Sequence, residues 1–255
     1  MTATSLALIT GANKGIGFEV ARQLGAIGMT VLVGARDDDR GAVAERNLRD
    51  QGVDAYHMAL DVTDQASVDQ AAQQIGVEHG RLDVLVNNAG ITGGPASGRP
   101  SQTPLAILRQ VYETNVFGVV AVTNAMLPLL RRAPAARIVN VSSEVGSVQA
   151  TLNRDGPLWP MTSISYPSSK TALNMVTAQY AKELWDTPIK VNAANPGYCA
   201  TDLNNHRGFQ SAEEGAEAIV YLATLPEDGP TGSFYGHLWV ADVGPDDPQY
   251  GRLPW

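Results

Sequence analysis

The sequence predicts an α/β protein, a single-domain doubly wound parallel sheet of about seven strands with helices on both faces. Short β-branched runs alternate with helical stretches long enough to cross over a sheet, and the strand candidates are almost continuously apolar. The first of them enters a glycine-rich turn that leads into a helix. No repeat, charge run or flexible linker interrupts this alternation, so residues 1–255 are predicted to form one domain.

The individual elements can be placed in chain order. The first strand covers residues 6–9 and an amphipathic helix covers residues 18–24; later strands are predicted at 30–33, 55–60, 84–87, 137–141, 189–195 and 234–240. Helix starts are predicted at Pro104, at Pro167 and at the capping box formed by Ser211 and Glu214. The helix from Pro104 is predicted to run to about residue 130. An insertion at 149–165 and a C-terminal tail at 241–255 fall outside the alternation.

Composition excludes several classes of partner. The formal net charge of −8 disfavours nucleic acid and anionic membranes. No apolar run of membrane-spanning length is evident and no signal peptide precedes the first strand, so a cytoplasmic location is predicted. The single Cys199 cannot form an internal disulfide, and the four histidines lack ligand spacing, so no metal site is predicted.

The turn after the first strand is the first candidate site. It contains Gly11, Gly15 and Gly17, together with Asn13, Lys14 and Ile16. Free N–H groups and the helix dipole at such a strand–turn–helix junction suit a pyrophosphate, and glycines allow its close approach. The alternative is an ordinary tight turn.

The end of the second strand indicates which dinucleotide binds. An acidic residue there would bind a ribose 2′-hydroxyl, whereas Arg36 can bind a 2′-phosphate with Lys14 on its other side. This favours NADP(H) over NAD(H). In the alternative interpretation, Arg36 is a surface cation paired with the acidic residues 37–39.

Two further motifs follow later strands. Asn88, Ala89 and Gly90 end the fourth strand, where a small polar segment suits backbone packed against a ribose. Tyr166 and Lys170 are four residues apart on one helix face, so the ammonium is expected to lower the pKa of the phenol and make it a proton donor. Alone, such a pair is usually a helix surface contact.

Taken in order, these segments resemble the short-chain dehydrogenase/reductase family, which has a Rossmann-type fold. The matching motifs are TGxxxGxG at residues 10–17, NNAG at 87–90, SSxxG at 142–146, YxxxK at 166–170 and PGxxxT at 196–201. Residues 13–17, 35–36 and 211–216 are similar to the NADPH-dependent carbonyl reductase branch.

The resemblance implies roles for individual residues. Ser143 and Tyr166 would bind and protonate the substrate oxygen, Lys170 would lower the pKa of Tyr166 and hold the ribose, and Asn115 would organise a proton relay behind Lys170. It further implies adenine contacts from Asp61 and Val62, and nicotinamide contacts from Pro196, Gly197, Cys199 and Thr201. Two alternatives stay open: Asp61 could cap the following helix, and Cys199 could be a reactive thiol or an inert buried one.

The implied activity is NADPH-dependent reduction of a ketone or aldehyde to an alcohol, on a small hydrophobic carbonyl substrate. An alcohol dehydrogenase working in the oxidative direction and a non-catalytic NADPH-binding regulatory protein are the alternatives. Ser143 and Tyr166 are 23 positions apart, longer than the family's usual spacing, so the insertion is expected at the mouth of the site. Because this insertion puts the family's usual tetramer in doubt, monomer and homo-oligomer stay open.

Overall fold

The computed structural model describes residues 4–94, 98–238 and 249–255. Its centre is one eight-stranded sheet of order β3-β2-β1-β4-β5-β6-β7-β8. Seven strands are parallel, and β8 pairs antiparallel with β7. The strands are β1 Leu6–Thr10, β2 Thr30–Ala35, β3 Ala55–Ala59, β4 Val84–Asn87, β5 Arg137–Val141, β6 Lys190–Asn195, β7 Phe234–His237 and β8 Tyr250–Arg252.

Helices cover both faces of the sheet, as the sequence predicts. They are α1 Gly15–Ala26, α2 Asp38–Arg49, α3 Gln65–Glu78, α4 Leu105–Tyr112, α5 Gly118–Leu130, α6 Val148–Thr151, α7 Ser165–Glu183 and α8 Ala212–Ala223. Helices α1, α2 and α8 pack on one face around Ala7 and Ile9, whereas α3, α5 and α7 pack on the other around Leu6 and Leu8. Alternate residues of β1 therefore point to opposite cores, which explains why this buried strand is apolar throughout.

The doubly wound α/β class is thus confirmed, and the strand count is one more than predicted. Strand β8 arises from the C-terminal tail, which the sequence analysis left outside the sheet; the tail's residues 241–248, and the predicted strand positions 239 and 240, lie outside the described residues. Three β8 residues with two prolines nearby carry little strand signal. Their pairing depends on the neighbouring β7 edge, a tertiary effect.

The long helix predicted from Pro104 is interrupted. Pro104 precedes α4 as predicted, but residues Glu113–Phe117 form a π-helical turn before α5 begins. Such single π turns often occur at functional sites. The capping box of Ser211 and Glu214 is present at the start of α8, with each side chain bonded to the other's backbone.

The span from Leu105 to Leu130 is also long and apolar enough to cross a membrane by length and composition, contrary to the sequence expectation of no such run. In its most apolar stretch 56% of the residues are buried within the protein. Its residues Val122, Met126 and Leu129 belong to the core between α3, α5 and α7. We therefore interpret this span as a core helix.

Candidate active site

The strand order reverses between β1 and β4, and loops that follow β1, β4, β5 and β6 meet at the carboxyl edge of the sheet. In open α/β sheets this switch point is where ligands bind. The candidate residues of all these loops lie there.

The glycine turn after β1 needs its glycines. Gly11 and Gly15 have φ of 63° and 58°, a region that favours glycine. A Cβ on Gly17 would lie 2.4 Å from Asn88 Nδ2 and 2.8 Å from the Gly11 carbonyl oxygen. No side chain caps α1 and no acidic residue occupies its first turn, so its N–H groups are available to an anion. Asn13 and Ile16 are partly buried in this turn, and Ile16 packs against the core.

The segment after β4 holds this turn in place. The backbone N–H groups of Asn88 and Ala89 each donate to Thr10 Oγ1 at 2.9 Å, and Asn88 Nδ2 donates to the carbonyl oxygens of Thr10 at 2.9 Å and Gly11 at 3.2 Å. Ala89 also packs on Gly11, where a Cβ would lie 3.0 Å from Ala89 Cα. Thr10 was not among the site residues predicted from the sequence. Its position as the last residue of β1, next to Gly11, could have indicated its structural role.

Arg36, directly after β2, is exposed and makes no ion pair within the described part of the chain. The acidic residue next to it is engaged elsewhere: Asp37 caps α2 by accepting from the Arg40 N–H, and its carboxylate lies 3.6 Å from the Arg40 guanidinium. The interpretation of Arg36 as a cation paired with residues 37–39 is therefore not supported. Arg36 is available for a phosphate.

Asp61 does not cap the helix that follows β3, so that alternative is wrong. Its carboxylate accepts from the Thr63 N–H at 2.9 Å and the Thr63 hydroxyl at 2.7 Å, whereas Asp64 caps α3 by accepting from the Ala66 N–H. A helix cap accepts from an N–H two or three residues on, inside the helix, and only Asp64 is placed to do so. Val62 packs against Gly118 at the start of α5, where a Cβ would lie 2.9 Å from the Val62 carbonyl oxygen.

Three elements bring the catalytic candidates together. Ser143 is extended at the end of β5, before a 3₁₀ turn over Glu144–Gly146, and Tyr166 and Lys170 are on α7. The turn packs directly on the helix, since a Cβ on Gly146 would lie 2.8 Å from the Lys170 carbonyl carbon. Lys170 Nζ lies 5.4 Å from the centre of the Tyr166 ring. The SSxxG glycine is thus required for the approach of Ser143 to the Tyr–Lys pair.

The pKa of Tyr166 differs in direction from the sequence expectation. Burial of the phenol raises its pKa well above the ordinary value, and the nearby Glu144 carboxylate raises it further, while the hydroxyl of Ser143 lowers it. Lys170 is only 3% exposed and donates from Nζ to the Val141 carbonyl oxygen at 2.7 Å. Burial lowers the pKa of Lys170 to about 8. Desolvation therefore outweighs any effect of the ammonium on the phenol in this structure.

Asn115 lies in the π-helical turn, and its side chain lies between the loop after β4 and helix α7. Its side chain accepts from the Ile91 N–H at 2.9 Å, donates to the Ile91 carbonyl oxygen at 2.9 Å, and donates to Ser169 Oγ at 3.0 Å. A Cβ on Gly90 would lie 3.4 Å from Asn115 Oδ1 and 3.7 Å from Lys170 Nζ. The π turn therefore gives this mid-helix asparagine a structural role, tying the loop after β4 to α7 beside Lys170.

The loop after β6 completes the edge. Pro196 leads into Gly197, which has a φ of 79° and packs against Gln210. Thr201 forms a capping box with Asn204 at the short turn Asp202–Asn204 and faces Gly15. Cys199 is buried, and burial raises the pKa of its thiol to about 12. Because the thiolate is the reactive form, burial and a raised pKa favour the buried, unreactive alternative for Cys199 over the reactive thiol.

The insertion at 149–165 packs next to Tyr166. Leu158 is buried in a small apolar cluster with Val145 and Ala150, and Tyr166 packs against it. Trp159 is 46% exposed, with the Arg154 guanidinium 5.3 Å from its ring centre. In the loop after β6, the Phe209 ring contacts the rings of Tyr198 and His237.

Neither a metal site nor a second ligand site is supported by the described residues. Among residues 4–94, 98–238 and 249–255, no group of three His, Cys, Asp or Glu side chains could hold a metal ion. A cavity of about 570 Å³ between Met29, Arg137 and Leu225 lies at the amino-terminal edge of the sheet. The Arg137 guanidinium there already donates to the Leu225 carbonyl oxygen, so the cation is engaged.

The fold brings a glycine-rich strand–turn–helix junction and the side chains of Ser143, Tyr166 and Lys170 to one edge of the sheet. The family model described as short chain dehydrogenase matches residues 5–211. The chain belongs to the short-chain dehydrogenase family. It is 31% identical to (+)-neomenthol dehydrogenase of Capsicum annuum, with 92% of this chain and 96% of that protein covered. It is 35% identical to carbonyl reductase (NADPH) 1 of Bos taurus, with 90% and 95% covered.

Solved structures show the same architecture. NADPH-bound carbonyl reductase from chicken fatty liver superposes with a TM-score of 0.81 at 28% identity, covering 99% of each chain. Salutaridine reductase from Papaver somniferum superposes with a TM-score of 0.78 at 30% identity, covering 90% of this chain and 99% of that one.

Proposed function

We propose that the protein reduces a ketone or aldehyde to an alcohol, with NADPH as the hydride source and Tyr166 as the proton donor. The observation that carries this proposal is the convergence of Ser143, Tyr166 and Lys170 beside a glycine turn whose helix N–H groups are free. Relatives named as carbonyl reductase and neomenthol dehydrogenase support the reaction class.

The residues fit NADP(H). The N–H groups at the start of α1 would hold the pyrophosphate, with Gly11, Gly15 and Gly17 leaving room for it. The guanidinium of Arg36, which forms no ion pair with the described residues, would hold the 2′-phosphate, as a planar donor suited to a phosphate. Asp61 and Val62 would border the adenine; Asn88, Ala89 and Gly90 would border the ribose, and Pro196, Gly197 and Thr201 the carboxamide. When bound, the nicotinamide supplies a hydride to the carbonyl carbon.

The protein's own groups handle the carbonyl oxygen. The Ser143 hydroxyl donates a hydrogen bond to it, and the Tyr166 phenol transfers its proton as the oxygen gains charge. The Lys170 ammonium is held by the Val141 carbonyl within reach of a ribose, and Asn115 fixes the backbone beside it. These positions support the proton relay that the sequence predicts.

The raised pKa of Tyr166 agrees with a role as proton donor in reduction, while the same group would serve the oxidative alternative. A phenol with a pKa above its ordinary value is protonated at neutral pH, which is the form that donates. Oxidation of an alcohol would need the phenolate. The complete Ser–Tyr–Lys set favours an enzyme over a non-catalytic NADPH-binding protein, because pure binding needs no proton donor.

We further infer a small hydrophobic carbonyl substrate. The Leu158 cluster against Tyr166 supplies apolar surface near the proton donor, and the Tyr198–Phe209 ring pair supplies more in the loop after β6. A cytoplasmic location and the lack of nucleic-acid and membrane partners stay predictions from the sequence, and monomer and homo-oligomer both stay open.

The proposal is tested by measuring NADPH consumption against a panel of ketones, aldehydes and quinones, with the alcohol product identified. We expect turnover of hydrophobic ketones by the native protein and none by Tyr166→Phe. The absence of NADPH consumption with every carbonyl compound, in a protein that binds NADPH, would contradict it and favour the regulatory alternative.

A further inference from the structure

A buried carboxyl group next to the catalytic serine has no part in the mechanism described above. Glu144 follows Ser143 and begins the 3₁₀ turn that packs on α7; it is 3% exposed. Its Oε2 atom has no hydrogen-bond partner within the described residues, and no ion pair to Glu144 is found there. An unpaired buried carboxyl is costly, so its presence here needs an explanation.

The surroundings of Glu144 offer it little compensation. Its backbone N–H donates to Asn195 Oδ1 at 3.1 Å. The titratable groups on the elements around it are Tyr166 and Lys170 of α7, Cys199 after β6, and His237 of β7, whose carbonyl accepts from Asn195. At the far end of the same turn, the Ser147 hydroxyl donates to the main-chain oxygen of Trp255. Lys170, the lysine among these groups, donates to Val141 instead.

Protein atoms cover the Glu144 carboxyl, so its influence on the site is electrostatic. The group that it acts on most clearly is Tyr166: the turn carrying Glu144 packs on α7, and the next residue, Val145, shares an apolar cluster with the Tyr166 ring. A negative charge beside a phenol in a poorly solvated site opposes formation of a phenolate.

The negative charge of Glu144 affects Tyr166 only if the carboxyl ionises at a lower pH than the phenol. Burial raises the pKa of Glu144 above its ordinary value, while hydrogen bonds with its own backbone and with the Asn195 side chain lower it. Burial raises the pKa of Tyr166 as well. A carboxyl group is ordinarily a much stronger acid than a phenol, so we take the phenol to ionise against an existing carboxylate.

We propose that Glu144 is a positioning residue that acts through Tyr166, its buried carboxylate holding the phenol in the protonated form. Reduction then persists to higher pH, and oxidation of the alcohol begins only at higher pH. The inference rests on the proposed function, in which the Tyr166 proton passes to the carbonyl oxygen and is replaced from solvent.

The test compares the native protein with Glu144→Gln, which keeps the side-chain shape and removes the charge. The value of kcat/KM is measured against pH for NADPH-dependent reduction of one ketone and NADP⁺-dependent oxidation of its alcohol. We expect the alkaline fall of reduction and the alkaline rise of oxidation to move together to lower pH by about one unit. Glu183→Gln, an exposed glutamate at the far end of α7, is the matched control and should leave both profiles unchanged.

Further variants separate the electrostatic role from a structural one. Glu144→Asp keeps the charge and should keep a profile close to the native one, whereas Glu144→Met, which also removes the charge, should reproduce the shift even if Glu144→Gln folds poorly. Identical alkaline limbs in the native protein and either neutral variant would overturn the inference. Tyr166→Phe keeps the two proposals apart: if it retains turnover, the proposed function fails, and if it is inactive while the neutral variants show no shift, only this inference fails.

Discussion

Lys14 Nζ and Asp202 Oδ2 lie 2.5 Å apart, joining the glycine turn after β1 to the loop after β6. His206 Nε2 contacts the other oxygen of the same carboxylate at 2.9 Å. Both partners of the Lys14 pair are 55% exposed, so the pair is screened by solvent. Because Lys14 precedes the first turn of α1, Asp202 competes with the proposed cofactor phosphates for the same cation.

Asp202→Asn is therefore expected to strengthen NADPH binding by about two- to fivefold, the range of an exposed ion pair. Lys14 lowers the pKa of Asp202, so the native carboxylate stays charged as the pH falls past the ordinary aspartate value. The difference in Kd between native protein and variant should be constant near neutral pH and disappear in stronger acid. Fluorescence titration measures it, with the exposed Asp186→Asn as control. Equal affinities at low salt would contradict this competition.

Arg36→Ala should weaken NADPH binding and leave NADH binding nearly unchanged. Loss of a charge-assisted phosphate contact costs about 1.5–3 kcal/mol, which corresponds to a rise in KM for NADPH of about 10- to 150-fold. Arg40→Ala is the matched control, because Arg40 already pairs with Asp37. Equal use of NADPH and NADH by the native enzyme would show that Arg36 does not bind the 2′-phosphate.

Tyr166→Phe should lower kcat by at least about 10²-fold while NADPH Kd stays within about twofold. The phenol proton is needed only as the substrate oxygen gains charge, whereas the ring's packing against Leu158 is kept. Lys170→Ala should damage both kcat and NADPH binding. Stopped-flow rates and equilibrium titration separate the two effects. A Phe variant that reduces ketones at the native rate would place the proton donor elsewhere.

Asn115→Ala should destabilise the protein by about 1–3 kcal/mol, because the Ile91 N–H loses its acceptor in a partly buried place. Urea unfolding measures the decrease in the free energy of unfolding. Asn124→Ala, on the following helix α5, removes an exposed hydrogen bond to the Tyr180 hydroxyl and should cost less. Similar decreases in the two variants would argue against a special role for the π-helical turn.

Trp159→Ala should change substrate selection if the insertion forms a wall of the pocket. We expect kcat/KM for bulky aryl ketones to fall relative to small ketones, by about 0.8 kcal/mol for each methylene-sized group of the substrate that is no longer buried. Trp185→Ala, which removes another exposed tryptophan just beyond the end of α7, is the control. Unchanged substrate ratios would mean that Trp159 only packs against Arg154.

Local sequence patterns were sufficient to predict the parallel strands and the candidate site residues that follow them. The runs at 84–87 and 137–141 match β4 and β5 to the residue, since buried parallel strands are marked by continuous apolar sequence. Motif spacing also placed Ser143, Tyr166 and Lys170 on adjacent elements. The local patterns could not show how far each group is removed from water, and the raised pKa of Tyr166 depends on the surroundings that the fold places around the phenol.

The other features that the sequence did not predict also depend on tertiary packing. Glu144 looks like any polar residue in a loop, and only the packing of its turn on α7 shows that it is buried. The ion pair of Lys14 with Asp202 joins residues 188 positions apart, which no local pattern encodes. The π-helical turn around Asn115 is likewise invisible to a period of 3.6 residues.

The β3 edge of the described sheet is guarded by helix α2. The His57 N–H donates to the Glu45 carboxylate at 2.8 Å, and the Ala55 carbonyl oxygen accepts from Arg49 Nε at 2.7 Å. The Arg49 guanidinium also lies over the Tyr56 ring, at 4.6 Å. A strand added at β3 would have to displace these side chains, so growth of the sheet from this edge is opposed by the protein's own second helix.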